Sequence, residues 1–147
     1  MNAKELQIGD LVDYRGKVIK VTSLYAKGGS NEVGFGDRED IWVNGRVLNP
    51  IPLTPEILEK NGFYFGFTSN EEDMAYAVGT SLHKEDEGWV WDEGNGAIKV
   101  IFPNESDGGE VKLEDSNYLA FVFDKICVHQ LQQLIRLSGI DKEITLA

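Results

Sequence analysis

The chain has 147 residues, with 14 Lys+Arg against 25 Asp+Glu and a formal net charge of -11. Hydrophobic residues make up 41% and charged residues 27%, a mix that supports a packed core and excludes wholesale disorder. No apolar run approaches the roughly 18 residues of a membrane span, the N-terminus reads as lacking a signal-peptide h-region, and a single cysteine, Cys127, excludes an internal disulfide framework and fits a reducing cytoplasm.

The first fifty residues read as short strands. Leu11–Tyr14 and Lys17–Thr22 flank Arg15-Gly16, a two-residue hairpin signal. Ile19, Val21 and Ser23 alternate against Lys20 and Thr22, so one face is the more apolar. Gly28 to Asn31 reads as a loop, and Glu32 to Gly36 as a weak strand interrupted by glycine. Ile41–Val43 and Arg46–Leu48 flank Asn44-Gly45, the best hairpin signal in the chain, because both turn residues tolerate positive φ. Strands this short and this close predict an SH3-like small barrel or curled sheet over residues 1–50.

Residues 51–147 read as an α+β unit, separate from the first or continuous with it. Thr54 is an N-cap and Pro55 fits the first helical position of a two-turn helix that stops at Asn61-Gly62. Phe63–Phe67, Met74–Val78, Trp89–Trp91, Ala97–Phe102 and Tyr118–Phe123 are candidate strands of an antiparallel sheet. Polar turns separate them, including Pro103 to Gly109. A helix over 124–137, stopped by Ser138-Gly139, is expected to pack on that sheet. Steps of 100° place Cys127, Val128, Leu131, Leu134 and Ile135 on its apolar face, and Lys125, His129, Gln132 and Arg136 on the opposite side.

Three stretches carry a family resemblance: Asn2–Val12, Pro50–Phe63 and Val128–Leu134. The first contains Asn2-Ala3-Lys4-Glu5-Leu6 and Ile8-Gly9-Asp10, the second Pro50-Ile51-Pro52-Leu53-Thr54-Pro55-Glu56, and the third Val128-His129-Gln130-Leu131-Gln132. Together they resemble small uncharacterised proteins of Bacteroidetes genomes, many of them encoded in phage or prophage segments. The resemblance implies a phage- or prophage-associated accessory protein, and it transfers no activity, substrate or catalytic residue.

Catalytic chemistry finds no foothold in the sequence. His83, His129 and Cys127 show no metal-ligand spacing, and the oxygen-rich runs at 92–96 and 104–108 lack the EF-hand pattern and read as polar turns. Cys127 falls on an apolar helix face, where cysteine is an inert core residue, and the glycines form no phosphate-binding loop. The expectation is therefore a protein with no catalytic residue, no cofactor and no bound metal.

Charge points instead to a partner. Residues 1–50 hold seven acidic and seven basic residues, whereas 71–115 hold thirteen acidic ones against Lys84, Lys99 and Lys112. Such a block repels nucleic acid and attracts a basic partner. A protein-binding module without enzymatic activity is the expectation, with no membrane partner and a cytoplasmic location. The alternatives are an acidic DNA mimic that inhibits a host DNA-binding protein, and nucleic-acid binding through the N-terminal unit, which the nearby acidic block disfavours. The helix strip Lys125, His129, Gln132 and Arg136 is one candidate surface, able to dock the acidic turns of a second copy in a homodimer. Trp89 and Trp91, two apart and hence on one sheet face, are the other if they are not core.

Overall fold

The computed structural model describes residues 1–38, 41–66, 88–93, 96–101, 109–114, 119–123 and 126–146. The chain divides into two compact units. The first joins Met1–Pro52 to Cys127–Ile144, and the second joins Leu53–Ile126 to Thr145–Ala147.

The first unit is a curled antiparallel sheet with a helix. Its strands are β1 (Leu11–Tyr14), β2 (Lys17–Tyr25), β3 (Glu32–Phe35), β4 (Ile41–Asn44) and β5 (Leu48–Asn49), in the order β4-β3-β2-β1-β5. The expected hairpin joins β1 to β2. Arg15 and Gly16 take φ of 52° and 80°, the left-handed pair that a two-residue turn of matching twist needs. The register of β2 against β3 shifts between Val21 and Ser23, and such a bulge bends a strand and tightens its twist. Val12, Val21, Val33 and Leu48 meet Ala3 and Leu6 in the core, with Ile19, Leu24 and Val43 packed against them. Each large apolar side chain buried there contributes about 1.5–3 kcal/mol.

Asn44-Gly45 is not a hairpin turn. Asn44 Oδ1 accepts a hydrogen bond from Arg46 N at 2.9 Å and caps a 3-10 turn over Gly45–Val47, while Gly45 N donates to Asn31 O at 2.9 Å. The chain therefore leaves the β4 edge, and β5 pairs with β1 instead. Gly45 is required for steric reasons. A Cβ there would collide with Asn31 Oδ1 and approach Met1 O to 2.6 Å.

The C-terminal helix α2 spans Val128–Ser138. It starts later than expected because Cys127 is held extended. Cys127 forms a bridge with Pro52, and Val128 N donates to Ile51 O at 2.8 Å. Its end at Gly139, with φ of 74°, is as expected, and Val128, Leu131, Leu134 and Ile135 are buried. The expectation that this helix covers the second sheet is corrected, since α2 belongs to the first unit, tied there by its polar side chains.

The second unit opens with α1 (Pro55–Lys60), capped by Thr54 Oγ1, which accepts from Ile57 N at 3.3 Å. Leu53, Leu58 and Phe63 are buried beside it in sequence. The buried Asn61 bonds Ile57 O at 2.7 Å, Thr145 O at 2.8 Å and Thr145 N at 2.8 Å, so its amide is satisfied at both ends. The sheet runs β10-β9-β8-β7-β6, built from β6 (Tyr64–Gly66), β7 (Gly88–Glu93), β8 (Gly96–Ile101), β9 (Gly109–Glu114) and β10 (Leu119–Phe123). The expected strand Met74–Val78 lies outside the described residues. Strand β9 was not anticipated, although Glu110-Val111-Lys112-Leu113-Glu114 alternates polar and apolar residues. Among the described residues, no helix is long and apolar enough to cross a membrane.

The collision at Gly45 gives a direct check. Gly45→Ala is expected to cost about 1–3 kcal/mol, the range of an overpacked site that must shift backbone. Urea unfolding measures it, and an unchanged midpoint would refute this account of the turn.

Candidate functional site

Half of the polar strip of α2 turns away from solvent. His129 and Gln132 are buried, Arg136 is exposed while reaching inward to a buried partner, and Lys125 lies outside the described residues. The cause is the segment Glu5–Leu11, which carries backbone groups and a carboxylate that need partners. Gln132 Oε1 accepts from Leu11 N at 2.8 Å, and its Nε2 donates to Gly9 O at 3.2 Å. Gln133 Nε2 donates to Asp10 Oδ2 at 2.6 Å and to Glu5 O at 2.9 Å. Arg136 Nη1 donates to Asp10 Oδ1 at 2.6 Å.

Asp10 is the centre of this arrangement. It is fully buried, and its Oδ2 also accepts from Gln7 N at 2.8 Å. Three donors thus surround a carboxylate removed from water, which makes its burial tolerable. Gly9 completes the geometry. It holds φ of +96°, and a Cβ at this position would lie 3.0 Å from Arg136 Nη2. The sequence signal is the pair Gly9-Asp10 before a strand, which by itself is ordinary turn chemistry. The turn exists, with Asp10 N donating to Gln7 O at 3.1 Å, but the carboxylate's second duty to α2 could not be read locally.

His129 lies in the same helix face. Its Nδ1 is buried with no hydrogen-bond partner among the described residues. Burial pushes its pKa below the ordinary histidine value, while the carboxylates of Asp10 and Glu5 pull the other way and lose. The neutral imidazole is the form that fits this site.

The tryptophan pair separates into two roles. Register places Trp89 opposite Val100 and Trp91 opposite Ile98. Trp91, Ile98 and Val100 are buried, so Trp91 is a core residue. Trp89 is half-buried, and its ring meets Phe65 with centroids 5.5 Å apart and planes tilted by 59°. Phe65 is 56% exposed, and its neighbour Tyr64 is also exposed. These two β6 residues were missed as candidates. The signal was the run Phe63-Tyr64-Phe65, longer than one buried face of a strand can use.

Charge follows the two units closely. Met1–Pro52 and Cys127–Ile144 together hold nine basic and nine acidic residues. The whole net charge of -11 therefore belongs to the second unit, which also carries the aromatic pair of Phe65 and Trp89. The oxygen-rich run at 104–108, part of the run at 92–96 and His83 lie outside the described residues.

Two measurements check this account. Asp10→Ala should cost about 3 kcal/mol, the low end for breaking a buried pair, because Arg136 remains partly hydrated. Arg136→Ala should cost about 1–2 kcal/mol, since Gln133 and the Gln7 amide still hold the carboxylate. Equal and small losses in urea titrations would contradict the central place of Asp10. For His129, the unfolded chain takes up its proton near pH 6.5 and the folded chain only below that. Stability should therefore fall as pH drops below about 6.5, and His129→Phe should lose that part of the slope.

Compared with protein-family models, curated proteins and solved structures, the chain matches none.

Proposed function

We propose that this chain is a protein-binding module without enzymatic activity, whose acidic second unit docks the basic surface of a partner. The reading includes the role that the motif resemblance implies, a phage- or prophage-associated accessory protein acting in the bacterial cytoplasm. In it the first unit is an SH3-like half-barrel that serves as scaffold.

The observation that carries the proposal is the partition of charge. A protein acidic throughout is merely soluble, whereas here one unit is neutral and the other holds the entire excess of -11. A field of one sign confined to one unit steers a partner of opposite sign and orients it on approach. The aromatic pair supplies what charge alone lacks. Phe65 and Trp89 form a contacting pair that a partner can cover, and aromatic anchors inside a polar rim are where interface energy concentrates.

The DNA-mimic reading draws on the same partition, and the test separates the two by the nature of the partner. Affinity capture from host lysate is run with the chain, with a variant whose acids between 71 and 115 are changed to amides, and with Phe65→Ser. The expected outcome is a basic protein retained by the parent chain, lost with the amide variant and weakened by Phe65→Ser. Competition by duplex DNA for the same protein identifies a mimic. Equal recovery with all three chains would remove the acidic unit from the argument.

A further inference from the structure

Asn61 is followed by Gly62, and that dipeptide is a reactive one. The main-chain nitrogen after an asparagine can attack the side-chain amide carbon, and a following glycine, having no Cβ, leaves the approach open. Two such pairs have both residues described, Asn44-Gly45 and Asn61-Gly62, and the structure places them under different guards. Asn61 is guarded by the tail. Its Nδ2 donates to Ile57 O at 2.7 Å and to Thr145 O at 2.8 Å, while its Oδ1 accepts from Thr145 N at 2.8 Å and lies 3.5 Å from Thr145 Oγ1. Every hydrogen bond that Thr145 makes among the described residues goes to this one side chain. Thr145 is itself exposed, and residues 140–146 form no helix or strand.

The nitrogen that would attack is close to water. Gly62 is exposed and left-handed, with φ of +83°, and its N donates to Glu59 O at 3.1 Å. The helix it leaves has six residues, too few to hold its last turn without outside contacts. The side-chain bonds of Asn61 are therefore the lock. Asn44-Gly45 is locked differently. Gly45 is buried and its N donates to Asn31 O at 2.9 Å, while Asn44 Oδ1 accepts from Arg46 N at 2.9 Å, and neither bond involves the tail.

We propose that Asn61-Gly62 is a self-modification site latched by the tail. While Thr145 is docked, the Asn61 amide is held and stays intact. When the tail lifts, Gly62 N gives its proton to solvent and bonds to Asn61 Cγ. The Cγ–Nδ2 bond breaks, the nitrogen leaves as ammonia, and a succinimide ring remains. Water then opens the ring at either carbonyl, giving aspartate or isoaspartate, so the chain and water are the only reactants. The product no longer fits the tail. A carboxylate at 61 sets an oxygen against Ile57 O and Thr145 O, where Nδ2 had donated to both. Isoaspartate also lengthens the main chain between the buried residues Leu58 and Phe63. Release of the tail is thus made permanent, with one more negative charge on the unit that already carries the whole excess.

The full chain and Thr145→Pro, incubated side by side in mildly alkaline buffer, test the proposal. Peptide mapping by mass spectrometry follows conversion at each Asn-Gly separately, with the same chain in denaturing urea as the unguarded reference. Proline removes both the N–H and the hydroxyl that face Asn61 Oδ1. Conversion at Asn61 should be slower in the folded parent than in urea. Thr145→Pro should speed it about tenfold, the upper range for one net hydrogen bond, and leave Asn44 unchanged. Asn61→Asp, which fixes the product in advance, should exchange its Thr145 amide hydrogen about tenfold faster than the parent by NMR. If Asn61→Asp proves unfolded by circular dichroism, Thr145→Pro decides the matter alone. A parent rate at Asn61 equal to that in urea, no gain in Thr145→Pro, an equal gain at Asn44 and Asn61, or an unaltered Thr145 amide in a folded Asn61→Asp would each overturn the proposal. None of these readouts needs a partner, so they stand or fall apart from partner capture.

Discussion

A carboxylate with no access to water has to be answered by the protein, and Asp10 is answered by both ends of the first unit at once. The Gln7 amide serves it locally, and Gln133 and Arg136 serve it from a helix that is more than a hundred residues later in the chain. Much else follows from that one requirement. The glutamines on either side of the ion pair repeat its logic with neutral groups, and Gln132 completes the hydrogen bonding of Gly9 and Leu11 where β1 begins. The apolar residues of α2 are interchangeable with other hydrophobics of similar volume. The polar ones fix its rotation and its position along the axis, because each must meet a particular group of the Glu5–Leu11 segment.

This explains why polar residues on a helix were a poor guide to its solvent face. His129, Gln132 and Arg136 have the periodicity of a wet surface, and only the position of the loop before β1 buries the first two and gives the third an inward partner. The division of charge is the complementary case. It is written in the sequence, but its meaning depends on Cys127–Ile144 joining the N-terminal residues, which makes one unit strictly neutral and the other strongly acidic.

Legibility followed the range of the interactions. The β1–β2 hairpin, the Thr54 cap and the Gly139 stop are each decided within a few residues, and each was read correctly. Asn44-Gly45 has the same local chemistry as a hairpin turn, yet the Asn31 carbonyl draws it into a 3-10 turn instead. The start of α2 was misplaced for a similar reason, since Pro52 holds Cys127 extended from the far side of an intervening unit. Of the candidate residues, Trp91 proved structural, Trp89 is half-buried against Phe65 of β6, and the exposed side chains of Ile41 and Trp42 carried no signal beyond their apolarity.

The second unit is, in topological terms, an insertion between Pro52 and Cys127, and that has a consequence for synthesis. The first fifty residues cannot finish folding as they leave the ribosome, because the partners of Asp10, Gly9 and Leu11 have not been made. Until residue 136 emerges, the nascent sheet carries a hydrated carboxylate where its interior will be. The inserted unit, complete in sequence except for the tail residue Thr145 that Asn61 holds, is free to fold first. By folding it shortens the tether that α2 must close, which lowers the entropic cost of the final step. The last helix thus completes the first unit, and the buried charge goes out of water only when it arrives.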